Sequence, residues 1–177
     1  MSRSRRGAWK IGPARAADAN SLTGLINRAY RGGEGVSWTT EAHWVSGLRL
    51  DETQTIKLLA AKNGLFLCAR STRGLLGCIY LRRQVAQVEC SLFAVEPARQ
   101  GRGVGKALLL AAETEARRRW KAARMVMWVL HGREEMLAYY RRRGYRASAL
   151  RREFPVPRDL WRAPDLRLRF LFKPCPA

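Results

Sequence analysis

A chain of 177 residues with 47% apolar and 27% charged side chains can bury a sizeable core, and its balance excludes a disordered or fibrous protein. No apolar run approaches the ~18 residues of a membrane crossing, and the basic start Met1-Ser2-Arg3-Ser4-Arg5-Arg6 has no apolar signal core behind it. The formal net charge of +20 favours anionic partners, but 28 arginines against six lysines spread that excess along the whole chain, as a solvated surface does, and this makes nucleic acid an unlikely partner.

In chain order, Trp9-Lys10-Ile11 reads as a short strand ended by Gly12-Pro13. Asp18 suits a helix N-cap, and Leu22, Leu25, Ile26 and Ala29 follow at helical spacing, predicting a helix from about Ala19 to about Tyr30. Arg31-Gly32-Gly33-Glu34-Gly35 breaks it. Thr39 or Thr40 is placed to cap a second helix through Glu41, Trp44 and Val45. Asp51 caps a third, with Thr55, Ile56, Leu59 and Ala60 on one side. Leu65–Ala69 and Leu75–Arg83 form an antiparallel hairpin about the turn Ser71–Gly74. Ala86–Val95 is a further strand. Val104, Leu108, Ala112 and Ala116 make one helical stripe, and Met125–Leu130 is apolar throughout, as in a strand covered on both faces. A helix opens at Glu134-Glu135 and closes at Arg141–Arg143, with Gly144 as its C′ residue. Tyr145–Arg151 and Leu166–Phe172 are a last antiparallel pair, separated by the loop Phe154–Pro164. There is no internal repeat and no dividing linker.

The chemistry concentrates between Leu92 and Leu108. A strand end runs into Gln100-Gly101-Arg102-Gly103-Val104-Gly105-Lys106 and then a helix. Helix starts carry unpaired N–H groups and partial positive charge, and alternate glycines let a phosphate approach bare backbone, so this loop points to a bound diphosphate. The dinucleotide fingerprint fails because its sixth position is Lys106. The P-loop fails because Ala107 follows Gly105-Lys106 and Gln100 stands where its first glycine belongs. Cys68, Cys78, Cys90 and Cys175 form no C-x-x-C pair, and His43 and His131 stand apart, so no metal spacing exists. Cys68 and Cys78 are placed to face each other across the hairpin as reduced, buried thiols.

Gln100-x-x-Gly103-x-Gly105 preceded by Val95-x-Pro97 resembles the acetyl-CoA motif of the GNAT acetyltransferase superfamily. Ile11–Asp18 resembles its opening strand and helix cap, and Tyr140-Arg141-Arg142-Arg143-Gly144-Tyr145 its tyrosine and Gly-aromatic signature. The resemblance covers nearly the whole chain. It implies one α/β (α+β) domain of GNAT fold over 1–177, frayed at 1–7, in the cytoplasm. The fold has a mixed central sheet with antiparallel N-terminal strands, a splayed parallel pair, and helices on both faces.

The activity implied is direct transfer of an acetyl group from acetyl-CoA to the primary amine of a small molecule or amino acid, in a ternary complex and without a metal. Phe93 and Val95 would pair with the pantetheine arm, and Gln100, Gly101, Arg102, Gly103, Val104, Gly105 and Lys106 would hold the pyrophosphate. Glu89, on the parity of Phe93 and Val95, is the candidate general base, with a structural ion pair as its alternative role and with Glu34, Glu41 or a water chain as the other candidate bases. Tyr140 is the candidate acid for the leaving thiolate, with a core tyrosine as its alternative. Arg133 stands where many members carry a pantetheine-binding asparagine, and an arginine there would reach a phosphate instead. Tyr30, Arg31, Glu34, Trp38, Thr39, Glu41 and Trp128 would border the acceptor. A non-catalytic CoA sensor, a protein N-terminal or lysine acetyltransferase, and a basic nucleic-acid-binding protein are the competing classes. A homodimer stays open by analogy.

Overall fold

The protein is described as a computed structural model, over residues 9–32 and 37–175. The elements are β1 (Trp9–Pro13), α1 (Ala19–Arg31), α2 (Glu52–Ala60), β2 (Gly64–Ser71), β3 (Gly74–Gln84), β4 (Gln87–Val95), α3 (Val104–Trp120), β5 (Arg124–Leu130), α4 (Glu134–Arg141), β6 (Arg146–Glu153) and β7 (Arg167–Pro174). The seven strands form one sheet in the order β1-β2-β3-β4-β5-β7-β6. Every neighbouring pair is antiparallel except β4 and β5. That parallel pair is joined by α3, as a crossover requires.

Two apolar layers sandwich the sheet. On one face the α3 stripe Val104, Leu108, Ala112 and Ala116 packs with Val88, Cys90, Met125, Met127 and Val129. On the other, Leu22, Leu25, Ile26 and Ala29 of α1 pack with Phe66, Cys68, Cys78, Tyr80, Leu92 and Ala94. Cys68 and Cys78 stand directly opposite one another, and both are buried free thiols. A smaller cluster joins Val45, Leu130, Phe154, Leu166 and Leu168 beneath Trp44, Trp128 and Trp161.

Residues 88, 90, 92 and 94 share a parity in sequence, yet the first two lie in the α3 layer and the last two in the α1 layer. The cause is a bulge. Cys78 pairs with Ala94 and Tyr80 with Ser91, so Leu92 and Phe93 together oppose Ile79, and Leu92 takes φ +46°. A leucine in the left-handed region costs about 1–2 kcal/mol, offset here by burial of its side chain against α1. The β4–β5 ladder runs only from Gln87/Arg124 to Cys90/Met127. Beyond it the two strands are unpaired with each other and a notch opens in the sheet.

Three local expectations differ from the structure. Asp18 makes no side-chain cap to α1; its carboxylate instead accepts from the Arg15 amide and pairs with Arg70. No helix forms over Thr40–Val45, where the chain makes turns and Val45 bridges to Trp161. The Thr40 hydroxyl, expected as a cap, donates to the Gly32 carbonyl (2.7 Å). In α2, Thr55 is buried but Ile56 is 51% exposed. The Asp51 cap does form: its carboxylate accepts the Gln54 amide (2.7 Å), and Gln54 returns the bond (3.0 Å). At the end of α4, the Tyr145 amide donates to the Tyr140 carbonyl (3.2 Å) and Gly144 to Arg141 (3.0 Å), with Gly144 at φ +86°. This is a Schellman closure with glycine at C′.

Candidate active site

A groove on the α3 side of the notch is lined by Trp38, Thr39, Phe93, Val95, Arg99, Gln100, Gly101, Gly103, Val104, Gly105, Lys106, Tyr139, Tyr140 and Arg143. Its floor is the free end of β4. One wall is the start of α3, whose first amides, at Val104, Gly105 and Lys106, lie too early in the helix for an intrahelical acceptor. Gly103 precedes them at φ +85° in the left-handed region, and a Cβ there or at Gly101 would meet nothing within 4 Å. At Gly105 a Cβ would crowd the Tyr139 hydroxyl at 3.3 Å, so bare backbone faces both the groove and the opposite wall.

Arg99, Lys106 and Arg143 bring cations, and no carboxylate among the described residues lines the groove. Arg143 lies over the Tyr139 ring, 3.4 Å from its centroid, donates to the Tyr139 carbonyl, and leaves its buried Nε without a partner. Open space over amides at a helix start, flanked by guanidinium and ammonium groups, fits a diphosphate.

The opposite wall is held by two staples. The Gln100 side chain donates to Ser37 Oγ (3.0 Å) and the Val95 carbonyl (3.2 Å), and accepts the Trp38 amide (2.8 Å). Arg133, 6% exposed, donates to the carbonyls of Thr40 (2.8 Å) and Trp38 (2.6 Å) and to Glu135 (2.7 Å), and lies over Trp44. Arg133 is therefore not among the groove residues. Its donors are consumed by the loop before α2, which departs from the phosphate contact expected of it. Trp38, held by both staples, packs its ring against Tyr139 at 5.2 Å.

Tyr140 is buried at the inner end of the groove, edge-on to Tyr139 and Tyr145. Burial pushes its phenol well above the ordinary tyrosine value; Cys90, Tyr30 and Tyr139 add to the shift and Arg143 opposes it. The hydroxyl is thus a hydrogen-bond donor throughout the neutral range. Tyr30 reaches the notch from the other face, donating to the Phe93 carbonyl (3.1 Å). Burial raises its phenol as well.

The bulge moves Glu89 to the face opposite Phe93 and Val95, contrary to the parity expected from a regular strand. There Glu89 sits in a second concavity, lined entirely by strands, with Arg82, Gln84, Gln87, Arg124, Trp128 and Arg152 among its walls. Its Oε2 accepts from Arg82 (2.8 Å) and Gln84 (2.6 Å), while its Oε1 has Arg152 at 3.9 Å.

Of the other residues expected at the acceptor, Glu41 pairs with Arg31 (2.9 Å) behind Tyr30 and lines neither cavity. Glu34 lies outside the described residues. Arg102 is exposed beside the glycine loop and does not line the groove. Arg99, Tyr139 and Arg143 line the groove without having been singled out. Tyr139 and Arg143 are four apart on α4 and its end, a spacing that puts them on one face. Among the described residues, no cluster suited to a metal ion occurs and no helix is long and apolar enough to cross a membrane.

Residues 21–145 match the acetyltransferase (GNAT) family, and the chain belongs to that family. Acetyl transfer is accordingly its class of chemistry. The fold is similar to that of yncA, a putative acetyltransferase from Salmonella typhimurium solved with its cofactor acetyl-CoA, at 19% identity over 97% of this chain and 96% of that one, with a TM-score of 0.73. It is similar also to the PaiA N-acetyltransferase of Thermoplasma acidophilum in complex with coenzyme A (16% identity, 95% and 99% of the two chains, TM-score 0.71). A third likeness is to a ribosomal-protein-alanine N-acetyltransferase from Brucella melitensis (23% identity, 93% and 99%, TM-score 0.71). A search of curated protein sequences finds no match to the chain.

Proposed function

We propose that the protein moves an acetyl group from acetyl-CoA to the primary amine of a small molecule or amino acid, with both reactants bound at once. The observation that carries this reading is the notch between β4 and β5. A diphosphate cradle opens on its α3 side, and a polar concavity containing a carboxylate opens on the other. Acetyl-CoA supplies the acetyl thioester. The amides of Val104, Gly105 and Lys106, with Arg99, Lys106 and Arg143, would hold its diphosphate.

The free end of β4 at Phe93 and Val95 would align the pantetheine arm. Glu89 Oε1, the carboxylate oxygen without a close donor among the described residues, would take the amine proton through water. Arg82, Arg124 and Arg152 would take no proton themselves but would weaken the amine's hold on its own, because neighbouring cations favour the neutral amine over the ammonium. The Tyr140 hydroxyl would donate to the departing sulfur. The amine itself would form the new bond to the acetyl carbon as the carbon–sulfur bond breaks.

The test is thermal unfolding with acetyl-CoA in high salt, beside ADP and a polyphosphate, followed by thiol release across an amine panel. A ligand at a hundredfold excess over its dissociation constant adds about 2.7 kcal/mol. Stabilisation that survives salt and is unmatched by polyphosphate, with amine-dependent thiol release, is the expected result. Stabilisation without turnover on any amine would make the protein a CoA-binding module. Equal stabilisation by all polyanions, lost in salt, would remove the reading.

A further inference from the structure

The concavity around Glu89 encloses about 580 Å³, within the ~300–1,000 Å³ range of small-ligand sites. Arg82 and Gln84 come from β3, Glu89 from β4, Arg124 and Trp128 from β5 and Arg152 from β6, all on the sheet face opposite the groove. A chain of hydrogen bonds runs around its base. Arg124 Nε donates to Gln87 (2.8 Å), Gln87 to Gln84 (2.5 Å), and Gln84 to Glu89 (2.6 Å). Arg82 closes the chain on Glu89. Arg152 lies over the Trp128 indole, 4.2 Å from the ring centroid, with its nearest carboxylate oxygen 3.9 Å away.

Two guanidinium groups, Arg82 and Arg152, thus face one carboxylate, and Arg124 is linked to it through Gln87 and Gln84. Most of their donors are unspent: Arg82 uses only Nη2, and Arg124 only Nε, among the described residues. Burial also lowers the Arg152 value, Glu89 opposing and Arg82 adding to the change. An incoming ammonium would meet net positive charge here. An acceptor that carries its own anion would not, because the anion offsets the repulsion while the arginines supply paired donors for it.

We propose, resting on the acetyl-transfer reading above, that the acceptor is an amine bearing a carboxylate, and that Arg82 and Arg152 bind that carboxylate beside Trp128. The Glu89 row of β4 lies two residues from Ser91, where the notch opens, about 7 Å along the strand. Amine and carboxylate are therefore separated by several bonds, as in an ω-amino acid or a side-chain carboxylate, and the intervening methylenes lie on Trp128 and Phe170.

The site is tested in two ways. In the first, glutarate and the neutral glutaramide are titrated calorimetrically into the whole protein at fixed ionic strength. Glutarate binds and glutaramide does not. Binding is lost in the Arg82→Gln/Arg152→Gln variant, retained in part in Arg82→Lys/Arg152→Lys, and unchanged in Arg118→Gln on the far face. In the second, kcat/KM for ω-aminohexanoate exceeds that for hexylamine by about 10- to 100-fold, the worth of a charge-assisted hydrogen-bond pair. The double glutamine variant brings the ratio near unity with acetyl-CoA stabilisation intact. Equal binding of both diacid derivatives, or a preference that survives the double variant, overturns the proposal. Absence of acetyl-CoA stabilisation would instead overturn the acetyl-transfer reading, and the glutarate titration would still decide the arginine site.

Discussion

Replacing Arg133 by alanine removes the clamp between the start of α4 and the loop before α2. The Thr40 residue is buried, so its carbonyl, deprived of Nη1, is left unsatisfied at a cost of about 1–3 kcal/mol. Trp38 is 42% exposed, so its carbonyl rehydrates and the loss is nearer the net value of one bond, about 1 kcal/mol. The contact over Trp44, at 5.4 Å from the ring centroid, adds about 0.5–1 kcal/mol. The pair with Glu135, which is 51% exposed on the carboxylate side, adds little. Removing a buried charge returns part of this, leaving a destabilisation of about 3 kcal/mol.

In a chain of this length that corresponds to a fall in Tm of about 6–12 °C, read by calorimetry or circular dichroism. The loosened loop carries Trp38, so acetyl-CoA affinity falls in the same variant. Arg133→Lys recovers less than half the stability, because one ammonium cannot span both carbonyls in the geometry of the guanidinium fork. A Tm loss below about 2 °C, or full recovery by lysine, would refute this account of the clamp.

Gly103→Glu places a side chain and a negative charge at a left-handed position beside the cradle, and should abolish acetyl-CoA stabilisation in thermal unfolding while the protein remains folded. Glu89→Gln keeps an oxygen for Arg82 but cannot take a proton, so turnover at neutral pH falls with acetyl-CoA affinity unchanged; steady-state rates beside ligand-induced Tm shifts check this. Tyr140→Phe should lower kcat more than it raises the KM for acetyl-CoA, since it removes a donor needed as sulfur departs. Burial raises the thiols of Cys68, Cys78 and Cys90 and the phenols of Tyr30, Tyr140 and Tyr145, Cys68 up to about 12. Their stabilisation is complete below the unfolded values and is lost as pH rises through the folded ones. Tm should therefore fall progressively from about pH 9 upward, which an alkaline unfolding series measures.

The features legible in the sequence are those whose cause is local. The glycine loop, the stripe Val104–Ala116, the Asp51 cap and Gly144 at C′ each depend on residues within a turn or two, and the structure places them as expected. The residues read wrongly depend on distant partners. Thr40 looks like a cap until Gly32 takes its hydroxyl. Arg133 looks like a phosphate ligand, but its acceptors are carbonyls 93 and 95 positions earlier. The Leu92 bulge has no sequence signature, because leucine is an unfavourable residue for positive φ and its burial against α1 decides the matter. That single extra residue misassigned the face of Glu89.

The bulge also gives the molecule two doors. Upstream of Leu92, alternate side chains of β4 look into the arginine-lined concavity; downstream, Phe93 and Val95 look into the cradle. A nucleotide-bearing reactant and an amine-bearing reactant would enter from opposite sides of one sheet and meet only in the gap between two strands. On the proposed reading neither would block the other's exit, and spent thiol and acetylated product would leave in either order. A single compound that mimics both would then have to thread through the sheet, with a linker no thicker than an extended chain.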